Sequence, residues 1–199
     1  MVWIVDAGTG NLRSLANALK AVGLRAEVRR TPGPGAPGAV VLPGVGAFGH
    51  ASRNLEEAGW KDFLLRWAEA GKPLLGICLG MQLLFEASEE SPGATGLGLM
   101  AGSVRLLGAG APRLPHTGWA LLRGAAPGTP EAQVGWAYFV HSYVVEPREA
   151  SVVAATAQYG EEFPAVVRAG SVTGVQFHPE KSQRDGLRLL AAWAGEVRP

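Results

Sequence analysis

The sequence predicts an α/β protein with a mixed, mostly parallel central sheet, flanking helices, and a sharp strand-to-helix corner that presents a nucleophile. Three observations predict it. As far as Glu90, apolar runs of strand length alternate with helical patterns. One of those runs closes on Gly-x-Cys-x-Gly at Gly76 to Gly80. Beyond Glu90 the chain turns to short β-type runs and ends in an amphipathic helix. Alternation of strand and helix builds parallel pairs, because parallel neighbours need a crossover; runs of short strands pair antiparallel.

Each element has its own signal. Val2 to Val5 is an apolar run ended by Asp6-Ala7-Gly8-Thr9-Gly10. From Asn11 to Val22, the residues Leu12, Leu15, Ala16, Leu19 and Val22 recur at helical spacing, and Gly23 is the stop. Leu24 to Val28 suits a second strand, followed by a Pro/Gly-rich loop from Thr31 to Gly38. Ala39 to Leu42 is a third, ended by Pro43-Gly44-Val45-Gly46-Ala47. Helical patterns cover Phe48 to Leu55 and Trp60 to Ala70, and Met81 to Glu86 continues as a helix behind Cys78. After a turn-rich loop from Ser91 to Gly98, the β-type runs are Ser103 to Leu107, Trp119 to Leu122, Ala137 to Val145, Val152 to Gln158, Ala165 to Ala169 and Val172 to Phe177. A helix from about Ser182 to Ala194 closes the chain. No linker-like stretch divides it, so residues 1–199 read as one domain.

Composition excludes several classes. A formal charge of +1 lacks the basic excess of a sequence-blind nucleic-acid binder. A single Cys rules out an internal disulfide and fits a reducing cytoplasm. No apolar run approaches the ~18 residues of a membrane span. The chain enters a strand at once, without the basic n-region of a signal peptide. The 28 Gly and 14 Pro show no period, which excludes collagen-like and solenoid designs.

The corner at Cys78 carries the chemistry. A strand that turns abruptly into a helix strains its corner residue, and a glycine two positions to either side allows the close backbone approach this requires. The side chain is pushed out of the sheet top towards a helix N-terminus, where unpaired N–H groups favour thiolate. The alternative is a buried structural Cys in a Gly-rich turn, since free Cys is often buried. The flanking glycines favour the nucleophile.

Two Gly-rich turns invite a nucleotide reading. Gly8-Thr9-Gly10 has Arg13 where a third Gly should stand. Gly44 to Gly49 matches Gly-x-Gly-x-x-Gly, but its strand is third in order, and the acid near the required spacing, Asp62, lies in a helical pattern. That turn better suits an oxyanion hole, with the N–H of Leu79 as the second donor.

None of His50, His116, His141 and His178 pairs with another at metal-ligand spacing, so no metal is expected, and no cofactor either. His178 ends the strand Gly174 to Phe177, and Glu180 lies two residues on. If the chain stays extended past Pro179, both side chains share one side. The carboxylate then orients the imidazole, whose other nitrogen takes the thiol proton. The order Cys, His, Glu differs from α/β-hydrolases, where the acid precedes the His. Trp60, Phe63, Leu64 and Trp67 read as helix-on-sheet core, and Tyr138 to Tyr143 as a strand leading to a turn.

Gly-Ile-Cys-Leu-Gly-Met-Gln at 76–82, with Val-Gln-Phe-His-Pro-Glu at 175–180, resembles the class I, triad-type glutamine amidotransferases. Asp6 to Leu12, Pro43 to Phe48, Tyr138 to Tyr143 and Lys181-Ser182 narrow the resemblance to the glutaminase subunits of imidazole glycerol phosphate synthase. Ala7 stands where that family usually has an aromatic, and Ala120 where Asn is usual. The resemblance implies that Cys78 attacks the glutamine amide, His178 shuttles the proton and Glu180 orients His178. It implies oxyanion roles for Val45, Gly46 and Leu79, and glutamine contacts for Gly44, Gln82, Glu90, Ser142 and Tyr143. Ammonia would pass to a (β/α)8-barrel cyclase subunit, with Asn11, Trp119 and Lys181 towards that partner. Two other readings stay open: a class I glutaminase serving another synthase, and a non-catalytic nucleotide-binding module built on Gly44 to Gly49.

Overall fold

The structure, a computed structural model, describes residues 1–8 and 10–197. The chain runs β1 (Val2–Val5), α1 (Leu12–Ala21), β2 (Ala26–Arg29), β3 (Ala39–Gly44), α2 (Phe48–Glu57), α3 (Trp60–Glu69), β4 (Leu74–Cys78) and α4 (Leu79–Gln82). There follow β5 (Ala87–Ser88), β6 (Gly102–Leu106), β7 (His116–Leu121), β8 (Trp136–His141), β9 (Tyr143–Pro147), β10 (Val153–Tyr159), β11 (Glu161–Ala169), β12 (Val172–Val175) and α5 (Gln183–Val197).

Seven strands form the main sheet in the order β10-β11-β12-β4-β3-β1-β2. Its β2, β1, β3, β4 and β12 run parallel; β11 and β10 add antiparallel. Residues alternate between two cores: Val2, Ile4, Leu75 and Ile77 face one, with α1 and α5, and Trp3, Val5 and Leu74 face the other, with α2 and α3. Burial on both faces explains why these strands read as unbroken apolar runs. The aromatic stripe of α3 is core, as its spacing predicts: Trp60 and Phe63 meet Trp3, and the indole N–H groups of Trp60 and Trp67 donate to the carbonyls of Arg30 and Pro73.

The helix termini follow local chemistry. Asn11 caps α1 by accepting a bond from the Ser14 N–H, and Gly23, at φ 81°, takes the chain out of it.

Two expectations need correction. The helix behind Cys78 is a single turn, not a run to Glu86. Leu83, Leu84 and Phe85 are each fully buried, and their carbonyls accept bonds from Leu97, Met100 and Gly98 instead of from their own helix. The run from Ala137 to Val145 divides at Ser142 into β8 and β9, which belong to different small sheets, β7-β8 and β5-β6-β9. Ala120, a departure from the family pattern, points inward and is 7% exposed, opposite Ala137. Among the described residues no helix is long and apolar enough to cross a membrane.

Topology makes the site. Gly44 lies opposite Cys78, and Val175 opposite Ile77, so the loops leaving β3 and β12 emerge on either side of the β4 corner. Sites in parallel sheets form at such carboxyl-terminal strand ends.

Candidate active site

Cys78 sits at φ 55° and ψ −111°, one of two non-glycine residues with positive φ among those described. Two glycines let the corner close. A Cβ on Gly80 would lie 1.8 Å from the Leu42 carbonyl oxygen, and one on Gly76 would lie 2.7 Å from that of Gly80. The single turn of α4 is therefore wedged against β3 and β4, with Cys78 5% exposed. One turn sums little dipole.

His178 is held from both directions. Its N–H donates to the Tyr138 carbonyl at 3.0 Å, and its own carbonyl accepts from the Ser182 hydroxyl at 2.7 Å. Its Nδ1 donates to Glu180 Oε1 at 2.9 Å, and both side chains are 5% exposed. With Nδ1 engaged by Glu180, Nε2 is the ring nitrogen left free for Cys78. The pairing arises differently from the extended geometry predicted: Pro179–Lys181 is a 3-10 turn, and the turn brings Glu180 back to the ring. Burial opposes charge on His178, but hydrogen bonds to Cys78 and Glu180 outweigh it and raise the pKa to about 9.

A cavity of about 270 Å³ opens over these groups. The structure brings to it Val45, Gly46, Cys78, Leu79, Gln82, Glu90, Ser142, Tyr143, His178 and Lys181 of the residues singled out from sequence. Glu180 lies behind His178. Gly44 is not in the wall; it is the last residue of β3, packed on Leu79 and Gly80. Gly46 has φ 97°, so the turn after β3 uses its freedom. Glu90 reaches across to accept the Phe48 N–H at 2.7 Å, capping α2 at the cavity edge. Exposed Asn11 and Trp119 lie outside the cavity, while Lys181 stands at its rim.

Two features escape sequence reasoning. Gln176, 0% exposed, reaches the Cys78 sulfur and Gln82. His116 and His141 face each other in the β7-β8 register, with His116 Nδ1 3.1 Å from His141 Nε2. His141 Nδ1 donates to the Tyr143 carbonyl, so its Nε2 must accept from His116. Burial pushes His116 down to about 4 and His141 to about 3, so both are neutral at physiological pH. They brace the Ser142–Tyr143 wall. A β-ribbon register was the only signal for this pair, and the long loop between the strands conceals it.

An elbow Cys backed by a buried His and Glu, on a mostly parallel sheet, defines a class, and the chain belongs to the class-I glutamine amidotransferase family, whose model matches residues 3–193. It is 47% identical to imidazole glycerol phosphate synthase subunit HisH of Moorella thermoacetica, covering 98% of this chain and 94% of that protein. It is 48% identical to the HisH subunit of Symbiobacterium thermophilum, over 98% and 93% of the two chains. A solved glutamine amidotransferase superposes with a TM-score of 0.76 at 25% identity, covering 98% of each chain.

Proposed function

We propose that this chain hydrolyses the side-chain amide of L-glutamine and delivers the ammonia to a (β/α)8-barrel cyclase, as the glutaminase subunit of an imidazole glycerol phosphate synthase in histidine biosynthesis. The observation that carries the reading is the joining of Cys78 and His178 in the wall of a small cavity, with Glu180 bonded to His178 from behind. Sγ attacks the amide carbon, and the oxyanion is met by the Leu79 N–H and an N–H of the Val45–Gly46 turn. Protonated His178 gives its proton to the departing nitrogen as the C–N bond breaks. Water, deprotonated by His178, then cleaves the thioester and releases glutamate. Gln82, Glu90 and the Ser142–Tyr143 backbone hold the substrate.

The partner reading has support in the outer face of the β7-β8 ribbon. Trp119, Leu121 and Trp136 are 43%, 40% and 54% exposed, and Tyr138 packs edge-on to Trp119. Such an apolar patch marks an interaction surface, and Lys181 at the nearby cavity rim suits an acid of the cyclase. The cyclase would use the ammonia to form imidazole glycerol phosphate and aminoimidazole carboxamide ribotide. A cytoplasmic setting keeps Cys78 reduced.

Two tests follow from this geometry. Because His178 must be protonated to release ammonia, kcat should fall as pH rises through about 9. Glu180→Gln removes the charge that helps hold the proton, so its alkaline limb should move to lower pH and turnover should drop ~10²–10³-fold. That loss should be smaller than for His178→Ala. A parental pH–rate profile in Glu180→Gln would remove Glu180 from the mechanism.

The second test concerns partner control. The Val45–Gly46 peptide can rotate at little steric cost, and an oxyanion donor turned away costs ~10²–10³ in rate. The isolated chain should therefore hydrolyse glutamine slowly, with cyclase plus its nucleotide substrate restoring the rate. Gly46→Val, β-branched where φ is 97°, should blunt that activation. Glutaminase assays with and without the loaded cyclase decide it: an isolated chain as fast as the loaded complex contradicts the switch.

A further inference from the structure

We propose that Gln176 is a further catalytic residue, its side-chain amide donating a hydrogen bond to Cys78 Sγ and holding the sulfur as thiolate. The inference rests on the reading of Cys78 as nucleophile and adds a second donor to His178.

The orientation of the amide is fixed by a chain of contacts that starts at a backbone atom. The Tyr143 carbonyl oxygen can only accept, so the Gln82 group 3.0 Å away is its Nε2. The other hydrogen of that Nε2 points to the Gln176 side chain at 3.1 Å, which must present Oε1 there. Gln176 Nε2 is then left facing Cys78 Sγ, at 3.7 Å. Reversing the Gln176 amide would set two NH2 groups against each other and an oxygen against the sulfur. The side chain is 0% exposed, so water does not compete for its donor.

The sulfur has a neighbour of opposite preference. The Val140 carbonyl, 3.8 Å from Sγ, can bond a thiol S–H but gives nothing to a thiolate. An N–H donor favours the charged form, and with α4 only one turn long the helix supplies little of that support. Gln176 and His178 therefore tip the sulfur towards thiolate against the Val140 carbonyl. The other titratable groups around the sulfur's cavity are His141, Tyr143, Glu90 and Lys181, with Glu180 behind His178.

The test is the pH dependence of iodoacetamide alkylation on the full chain. Cys78 is its single cysteine, so the reaction reads one sulfur whether or not glutamine is the substrate. Gln176→Met keeps the length and loses the donor; Gln176→Glu keeps the shape and the acceptor for Gln82 but puts oxygen against the sulfur. Losing a hydrogen bond to a charged group should raise the thiolate midpoint by about one pH unit in Gln176→Met and so slow alkylation about tenfold at pH values below the parental midpoint. Gln176→Glu should move it further, and the limiting rate at high pH should be parental in both. A merely structural role would leave the midpoint where it is. Either variant overturns the proposal if it melts cooperatively and titrates like the parent. Should neither variant fold, Gln176 is structural and the proposal is wrong. Shifted midpoints in a chain that hydrolyses no glutamine would uphold this role for Gln176 and count against the functional reading alone.

Discussion

Cys78→Ala is expected to abolish glutamine hydrolysis, with a loss on the order of 10⁶, the scale seen when a covalent nucleophile is removed. No other thiol exists in the chain to replace it. Neither His178 nor Glu180 can substitute, because His178 is tied through Nδ1 to Glu180 and is the proton carrier of the proposed mechanism. Cys78→Ser should be nearly as inactive: an alcohol does not ionise beside an imidazolium as a thiol does, so the site would lack its charged nucleophile. Folding should survive, since the side chain is small and the corner backbone is set by Gly76 and Gly80. Cyclase binding should survive as well, because Cys78 is buried while the Trp119–Trp136 face lies on the outside. Glutamate release measured with purified variant and loaded cyclase is the check. Retained hydrolysis in Cys78→Ala would sink the thioester mechanism.

Gly80→Ala should be the most damaging single-carbon addition in the site. The new methyl would sit 1.8 Å from the Leu42 carbonyl oxygen and 2.8 Å from its carbon. Both are backbone atoms of β3, a strand buried along its whole length between β1 and β4, so neither can swing aside as a flexible side chain could. Either α4 lifts from the sheet or the fold gives way. Overpacking of this kind costs about 3 kcal/mol or more. Where the chain still folds, the lifted turn carries the Leu79 N–H away from the proposed oxyanion position and tilts Cys78 off His178. Activity should then fall by a further ~10²-fold or more from the lost donor. Thermal melts paired with glutaminase rates measure both effects. A Gly80→Ala variant with parental melting temperature and rate would mean the elbow does not need this packing.

Much of the fold was legible because its causes are local. The parallel half shows itself as apolar runs such as Ala39 to Leu42 and Leu74 to Ile77, buried on both faces and broken by glycine turns. The α1 boundaries show in Asn11 and Gly23, where a cap and a left-handed exit are needed. The end of α4 is hidden in the sequence because Met81 to Glu86 has a helical apolar pattern, yet the Leu83 and Phe85 carbonyls find better-placed donors in Leu97 and Gly98. Short apolar stretches buried on all sides carry no period that separates helix from turn.

The site divides the same way. Sequence by itself determined the corner, since Gly76 and Gly80 are demanded by backbone contacts within a few residues or across one strand pair. It also named the His178–Glu180 pair, separated by two positions, although the 3-10 turn that joins them was not foreseen. Only the tertiary structure decided what surrounds the sulfur. Gln176 meets Cys78 across 98 positions of sequence, and Gln82 across 94; His116 meets His141 through the register of a ribbon with a long connection. A buried amide or imidazole has no periodic signature, and its partner is fixed only when β4 and β12 pair and the β7-β8 ribbon closes over their ends. The physical reason is that backbone preference acts over a turn or a strand, whereas hydrogen-bond satisfaction in a buried site is settled by whichever polar atoms packing brings within reach.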